Sequence, residues 1–160
     1  MDQINDGFTR GAAADIGPKI EFLLAQGQQV TLQISGDSMR PTLKPRRDAA
    51  VLAALQKWPP RRGDILFFKS ERSAGGYTLH RVLRVRPEGV IMNGDAQGWI
   101  EGPIPREAVI GQAVALLRNG KPLNVQGRGY RVYVALWRFT RPFRWPLFAL
   151  WRAIKGALKR

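Results

Sequence analysis

Apolar positions along the chain change their period early. Over Pro18–Ala25 (PKIEFLLA) the apolar residues Ile20, Leu23 and Leu24 recur at helical spacing behind a proline suited to a first helical position. Gln26-Gly27 closes that run, so a short helix is predicted. From Gln29 onward Val30, Leu32 and Ile34 alternate with Thr31, Gln33 and Ser35, the pattern of a half-buried strand that runs into Gly36-Asp37-Ser38. Further strands are predicted over 49–53, 65–68, 78–86, 90–92 and 109–117. Turn signals separate them at Pro59-Pro60, Arg62-Gly63-Asp64, Gly75-Gly76, Pro87-Glu88-Gly89 and Gly102-Pro103. Short strands at this spacing predict a mainly β body of barrel or sandwich type, ending near Leu123, with helix only at its ends.

The segment from Trp137 to Leu158 differs in kind, being rich in Trp, Phe and Leu, studded with Arg and Lys, and broken by Pro142 and Pro146. Pro146 could open a helix that places Leu147, Leu150, Trp151, Ile154 and Leu158 on one face, with Arg152, Lys155 and Lys159 elsewhere. A basic amphipathic helix is therefore expected. The chain divides accordingly into an N-terminal extension with a short helix (1–28), a β-rich domain (29–125) and a basic, aromatic-rich tail (126–160).

Charge sharpens that division. The net charge is +14, yet the last acidic residue is Glu107, and the eleven Lys and Arg that follow it meet no acid. Up to Glu107 the net charge is only +3, so the basic character belongs to the tail. At 160 residues and 44% hydrophobic composition the chain can bury one substantial core. The absence of cysteine excludes a disulfide framework and a thiolate metal site, and a single histidine, His80, excludes a multi-histidine zinc site. Near the N-terminus no apolar run is long enough for a signal peptide or a spanning helix, so export by a conventional N-terminal signal is not expected.

The string Ser35-Gly-Asp-Ser-Met-Arg-Pro-Thr-Leu43 is the most specific chemical signal. A nucleophilic serine needs an exposed hydroxyl, a base and backbone N–H groups aimed at the developing oxyanion, and a glycine-containing turn at a strand end can present all three. A polar turn closed by Pro41 would have the same composition. The string resembles the nucleophile box of signal peptidases and the related LexA-type self-cleaving repressors, in which the serine before Met is the nucleophile. It maps onto Ser38. Three further segments follow in that family's order: Arg62-Gly-Asp-Ile-Leu-Phe-Phe-Lys69, His80-Arg-Val82, and Gly94-Asp-Ala96 leading to Val109-Ile-Gly-Gln-Ala-Val114. The resemblance spans roughly residues 30 to 115 and leaves the tail outside it. It implies a signal-peptidase/LexA-like, β-barrel-type catalytic core.

Most bacterial signal peptidases and the repressors carry lysine at the base position. His80 stands there instead, as in the archaeal and endoplasmic-reticulum types, which implies a Ser–His dyad. An imidazole, with an unperturbed pKa near ~6.5, is already largely neutral at pH 7. Lys69 is a competing base, but it matches a lysine that often closes the family's Arg-Gly-Asp strand and is expected to be structural. Asp95 matches the aspartate of the Gly-Asp box. Glu101 is the candidate for a second acidic residue, where aspartate would be more usual. The expectation is that Glu101 accepts a hydrogen bond from His80 while Asp95 pairs with Arg81. Gly36 offers no side-chain oxyanion donor, Asp37 and Asp64 are expected to shape turns, and Met39 to pack beneath the site.

The implied activity is hydrolysis of a peptide bond in a leader or signal peptide, without cofactor or metal. Rival readings are a LexA-like self-cleaving or nucleic-acid-binding regulator and an inactive peptidase fold used for binding. Residues 1–28 are too short for a helix-turn-helix domain ahead of the β-core, so no specific nucleic acid partner is expected. The tail, 137–160, is expected to lie on an anionic membrane surface and give peripheral attachment, with the cytoplasmic side favoured; the alternative is that its apolar face packs on the peptidase body or forms a dimer contact, and the oligomeric state is left open.

Overall fold

The structure is a computed structural model that describes residues 13–73, 76–125 and 127–140. The elements in chain order are α1 (Ala13–Ala25), β1 (Val30–Gln33), β2 (Asp48–Ala53), β3 (Ile65–Lys69), β4 (Tyr77–Arg86), β5 (Gly89–Asn93), β6 (Glu101–Ile104), a 3-10 turn (Arg106–Ala108), β7 (Val109–Arg118), β8 (Lys121–Leu123) and α2 (Arg128–Phe139). The strands form one antiparallel eight-stranded sheet in the order β1-β2-β7-β3-β4-β5-β6, with β8 pairing to β7. The sheet is open, ending at β1 and β6, where a closed barrel would have joined them. The chain divides near residue 124 into two compact units, the first carrying α1 and the sheet and the second carrying α2.

Alternation of buried and half-buried positions marks β1. In β1 the pattern buried, half-buried, buried, half-buried follows Val30, Thr31, Leu32 and Gln33. Strands β3 and β5 are buried almost throughout, as befits central strands covered on both faces. Leu66, Phe68, Val82, Val90, Met92 and Ile104 make one core cluster from β3, β4, β5 and β6, with Leu55, Trp58, Ala108 and Val109 against it. Truncating a fully buried core residue such as Phe68 to Ala would cost about 3–5 kcal/mol. Register shifts lie in the β2–β7, β3–β7, β4–β5 and β5–β6 pairings, and such bulges bend and twist strands.

Helix α1 packs against β1, β4 and β7. Ile20 and Leu24, one turn apart, are its fully buried pair. Gly17 admits the Tyr77 ring, since a Cβ there would stand 2.1 Å from Tyr77 Cδ2.

Three expectations change. The first helix starts at Ala13, not at Pro18, because alanines extend it upstream and Pro18 sits inside it. Gly102-Pro103 lies within β6, although the dipeptide signals a turn. Among the described residues this strand is an edge that pairs only with β5, so the N–H that proline lacks interrupts no second ladder. The described tail helix is α2, which begins at Arg128 and precedes the segment expected to be helical. The helix anticipated from Pro146, with the rest of 141–160, lies outside the described residues.

Candidate active site

Ser38 stands in the turn that follows β1. Ile34 N–H donates to the Asp48 carbonyl at 3.0 Å and Arg46 N–H to the Ile34 carbonyl at 2.8 Å, so the chain leaves the strand and returns beside it. Within the turn Arg40 pairs with Asp37 at 2.9 Å. Met39, Thr42 and Leu43 are buried and anchor the turn from below, while Ser38 itself is half-buried. Asp48 is also buried. Desolvation alone would raise its carboxyl, but Arg47 and the N–H groups of Lys44 and Asn119 hold it below the usual carboxylate range.

The four motif segments converge on this turn. Arg81 binds Asp95 at two points, Nε to Oδ1 at 2.9 Å and Nη2 to Oδ2 at 2.7 Å, and its Nη1 donates to the Gly63 carbonyl at 2.9 Å. Thr42 Oγ1 donates to Asp95 Oδ2 at 2.5 Å. The Ser38 carbonyl accepts the Ala96 N–H at 2.8 Å. Asp95 thus links the serine turn to the strand that bears His80, and Gly63 of the Arg-Gly-Asp segment closes the same network. A two-point buried Arg–carboxylate pair fixes orientation as well as distance.

His80 is 2% exposed. Phe68 and Trp99 enclose its ring, each with a centroid 6.0 Å away, and Trp99 is edge-on. Its Nδ1 faces Glu101 Oε2 at 3.8 Å, beyond the ~3.2 Å upper range of N–H···O hydrogen bonds, and among the described residues neither atom has another partner. The other oxygen, Oε1, accepts the hydroxyl of Ser70. On the opposite side of the ring, Nε2 lies 3.5 Å from Thr78 Oγ1. Burial pushes the imidazole pKa down to about 4, against the opposing pull of the Asp95 charge. The neutral, proton-accepting form therefore dominates at pH 7.

A cleft of about 170 Å³ opens beside the serine. It is lined by the end of β1 from Leu32 onward, by Ser38 and Met39, by Phe67, by Tyr77–Leu79 of β4, and by Ile16 of α1. Two strands that are far apart in the sheet order, β1 and β4, therefore meet across it. Among the described residues both have free edges here, because β1 pairs only with β2 and the Tyr77–His80 part of β4 pairs only with β3.

Ser38 shares the cleft with Thr78, and Thr78 in turn approaches His80, but no hydrogen bond joins Ser38 to His80 among the described residues. Glu101 faces His80, and Asp95 faces Arg81. Lys69 points instead to Glu21, at 2.8 Å, and that bond raises its pKa, the opposite of what a general base requires. Asp64 accepts the Arg61 N–H in its turn at 2.8 Å, and Met39 is 2% exposed. Sequence reasoning missed Thr78 and Ser70. Strand alternation could have flagged Thr78, two residues before His80 on the same face. Ser70 carries no local signal, because its partner is 31 residues away.

Among the described residues no group of three or more His, Asp or Glu could hold a metal ion, and no helix is long and apolar enough to cross a membrane. No protein-family model matches the chain, and a search of curated proteins returns no match.

Proposed function

We propose that the chain is a serine endopeptidase with a core of the signal-peptidase type, cleaving a peptide bond in a leader or precursor segment. The observation that carries this reading is the linkage of the Ser38 turn, through Ala96 and Asp95, to a strand whose buried histidine is backed by a carboxylate. In this reading the substrate enters the cleft as an extended strand and pairs with the free edges of β1 and β4. His80 Nε2 takes the hydroxyl proton of Ser38 as Oγ bonds to the scissile carbonyl carbon. The Ser38 N–H supports the oxyanion, Gly36 adding no side-chain donor. The protonated ring, with Glu101 facing Nδ1, then gives its proton to the departing amine as the C–N bond breaks. Water, deprotonated by the same nitrogen, releases the acyl group and restores Ser38. The 3.5 Å contact with Thr78 must yield to the Ser38 hydroxyl, a tightening usual between resting and substrate-bound enzymes.

The basic tail extends the proposal to peripheral attachment at an anionic membrane surface. The supporting feature is α2, where Val132, Leu136 and Phe139 share one face and are 56%, 61% and 74% exposed. The peptidase reading is tested by incubating the protein with a synthetic peptide library carrying small residues at varied positions and identifying fragments by mass spectrometry. Cleavage by the parent and none by Ser38→Ala supports it; equal cleavage by both rejects it.

A further inference from the structure

The two oxygens of Glu101 face different neighbours. Oε1 accepts the Ser70 hydroxyl, and Oε2 is the atom 3.8 Å from His80 Nδ1. Ser70 is 4% exposed and stands where the chain leaves β3. Its backbone is held there independently, by its own N–H to the Gly76 carbonyl at 2.9 Å and by Ser73 N–H to its carbonyl at 3.2 Å. The hydroxyl is therefore not needed to close the hairpin. Its oxygen also accepts the Arg72 N–H at 3.3 Å, which leaves the Ser70 proton directed at the carboxylate. Arg72 in turn lies 5.4 Å over the Trp99 ring that meets His80 edge-on.

We propose that Ser70 is a positioning residue for His80: by fixing Oε1 of Glu101 it presents Oε2 to Nδ1, keeps the proton of the neutral ring on Nδ1, and leaves Nε2 free as a base. The final step rests on the peptidase reading; the placement of the proton does not. The groups around the ring are Glu101 of β6, Asp95 beyond β5, Thr78 of β4, and the apolar Phe68 and Trp99. Of these, only Glu101 faces Nδ1 within ion-pair distance. An outer partner that orients a carboxylate behind a histidine fixes its tautomer in the way such partners do behind metal-ligating histidines.

Because His80 is the sole histidine, the nitrogen NMR signals of a histidine-labelled full-length protein report this ring alone. At pH 7.5 the parent should show the Nδ1–H tautomer. Ser70→Ala should shift the ratio of tautomers toward Nε2–H by roughly threefold or more, and Ser70→Thr should restore it. In a Glu101→Gln background Ser70→Ala should add nothing, since Ser70 acts through the carboxylate. Should Ser70→Ala fail to fold, Ser70→Cys, with its weak thiol donor, takes its place and must show the same displacement. A parent ring protonated on Nε2, an unchanged ratio in the variant, or an equal change in the Gln background overturns the proposal. Peptide cleavage is read in parallel, with kcat expected to fall about tenfold at unchanged KM. Absent cleavage in the parent would reject the peptidase reading while the tautomer ratio still decides the role of Ser70.

Discussion

The Ser38 carbonyl and the Ala96 N–H are joined at 2.8 Å, so the turn that carries the candidate nucleophile is fastened to the turn that carries Asp95. Gly94 makes that approach possible, since a Cβ on it would lie 2.7 Å from the Ser38 carbonyl oxygen. Gly94→Ala should push the serine turn away and lower peptide turnover by roughly tenfold to a hundredfold, as small misplacements of reacting groups do. Steady-state kinetics and a thermal melt check this together. Parent-like turnover would show that the fastening does not position the serine.

The buried imidazole predicts a pH dependence in which both signs follow from one shift. With its pKa near 4 in the folded chain and ~6.5 unfolded, the unfolded state binds the proton more readily between those values. Stability contributed by the neutral ring is thus complete above pH ~6.5 and is lost as pH falls toward 4, by at most about 3 kcal/mol. Turnover should be flat from pH 6 to 8 and decline only below that, as His80 protonates. The carbon and proton NMR shifts of this sole imidazole, followed on lowering the pH, measure the midpoint directly. A midpoint at or above 6.5 would contradict the burial argument.

Asp95 and Glu101 should fail in different ways. Asp95→Asn leaves Arg81 buried without its charge partner and also weakens the bond from Thr42, so a stability loss of about 3–5 kcal/mol is expected in denaturant unfolding. Glu101→Gln should cost far less stability but lower kcat, by less than the loss of Ser38 or His80, because an orienting carboxylate assists a base that can act without it. If Asp95→Asn proves stable but inactive while Glu101→Gln is fully active, the two roles are exchanged.

Attachment through α2 and the tail predicts that the full-length protein binds phosphatidylserine-containing vesicles in a co-sedimentation assay, and that raising salt weakens the binding. Leu136→Glu with Phe139→Glu should reduce it severalfold, because both side chains are exposed on the apolar face, and should leave cleavage of a soluble peptide unchanged. Equal binding to neutral vesicles, or none to acidic ones, would remove the membrane from the account.

What the sequence makes legible is mostly local. Strand β1 is announced by alternation because one face of it is buried, β4 only by the turn signals that bound it, since Leu79–Val82 are buried in succession, and the motif segments single out Ser38 and His80 by residue type and order. Pairing across the sheet is another matter. Glu101 opens β6 opposite Met92 in a strand whose Gly102-Pro103 signals a turn, so neither its strand nor its approach to His80 follows from neighbouring residues. The free edges of β1 and β4 meet only because the bent sheet brings its far end round to its middle, and no local pattern encodes that. Burial of His80 is likewise a property of Phe68 and Trp99 arriving from β3 and from the turn before β6, and it moves the imidazole well below the value expected from the residue type alone.

Covalent trapping separates a Ser38 nucleophile activated by His80 from a serine that merely closes a turn. The full-length protein is treated with a peptidyl diphenyl phosphonate bearing a small side chain at its reactive end, and the adduct is located by peptide mapping and mass spectrometry. A single phosphonylated residue, Ser38, is expected, with labelling abolished in Ser38→Ala and slowed by about a thousandfold or more in His80→Ala. Labelling at another residue, or labelling of Ser38 at the same rate without His80, would contradict it.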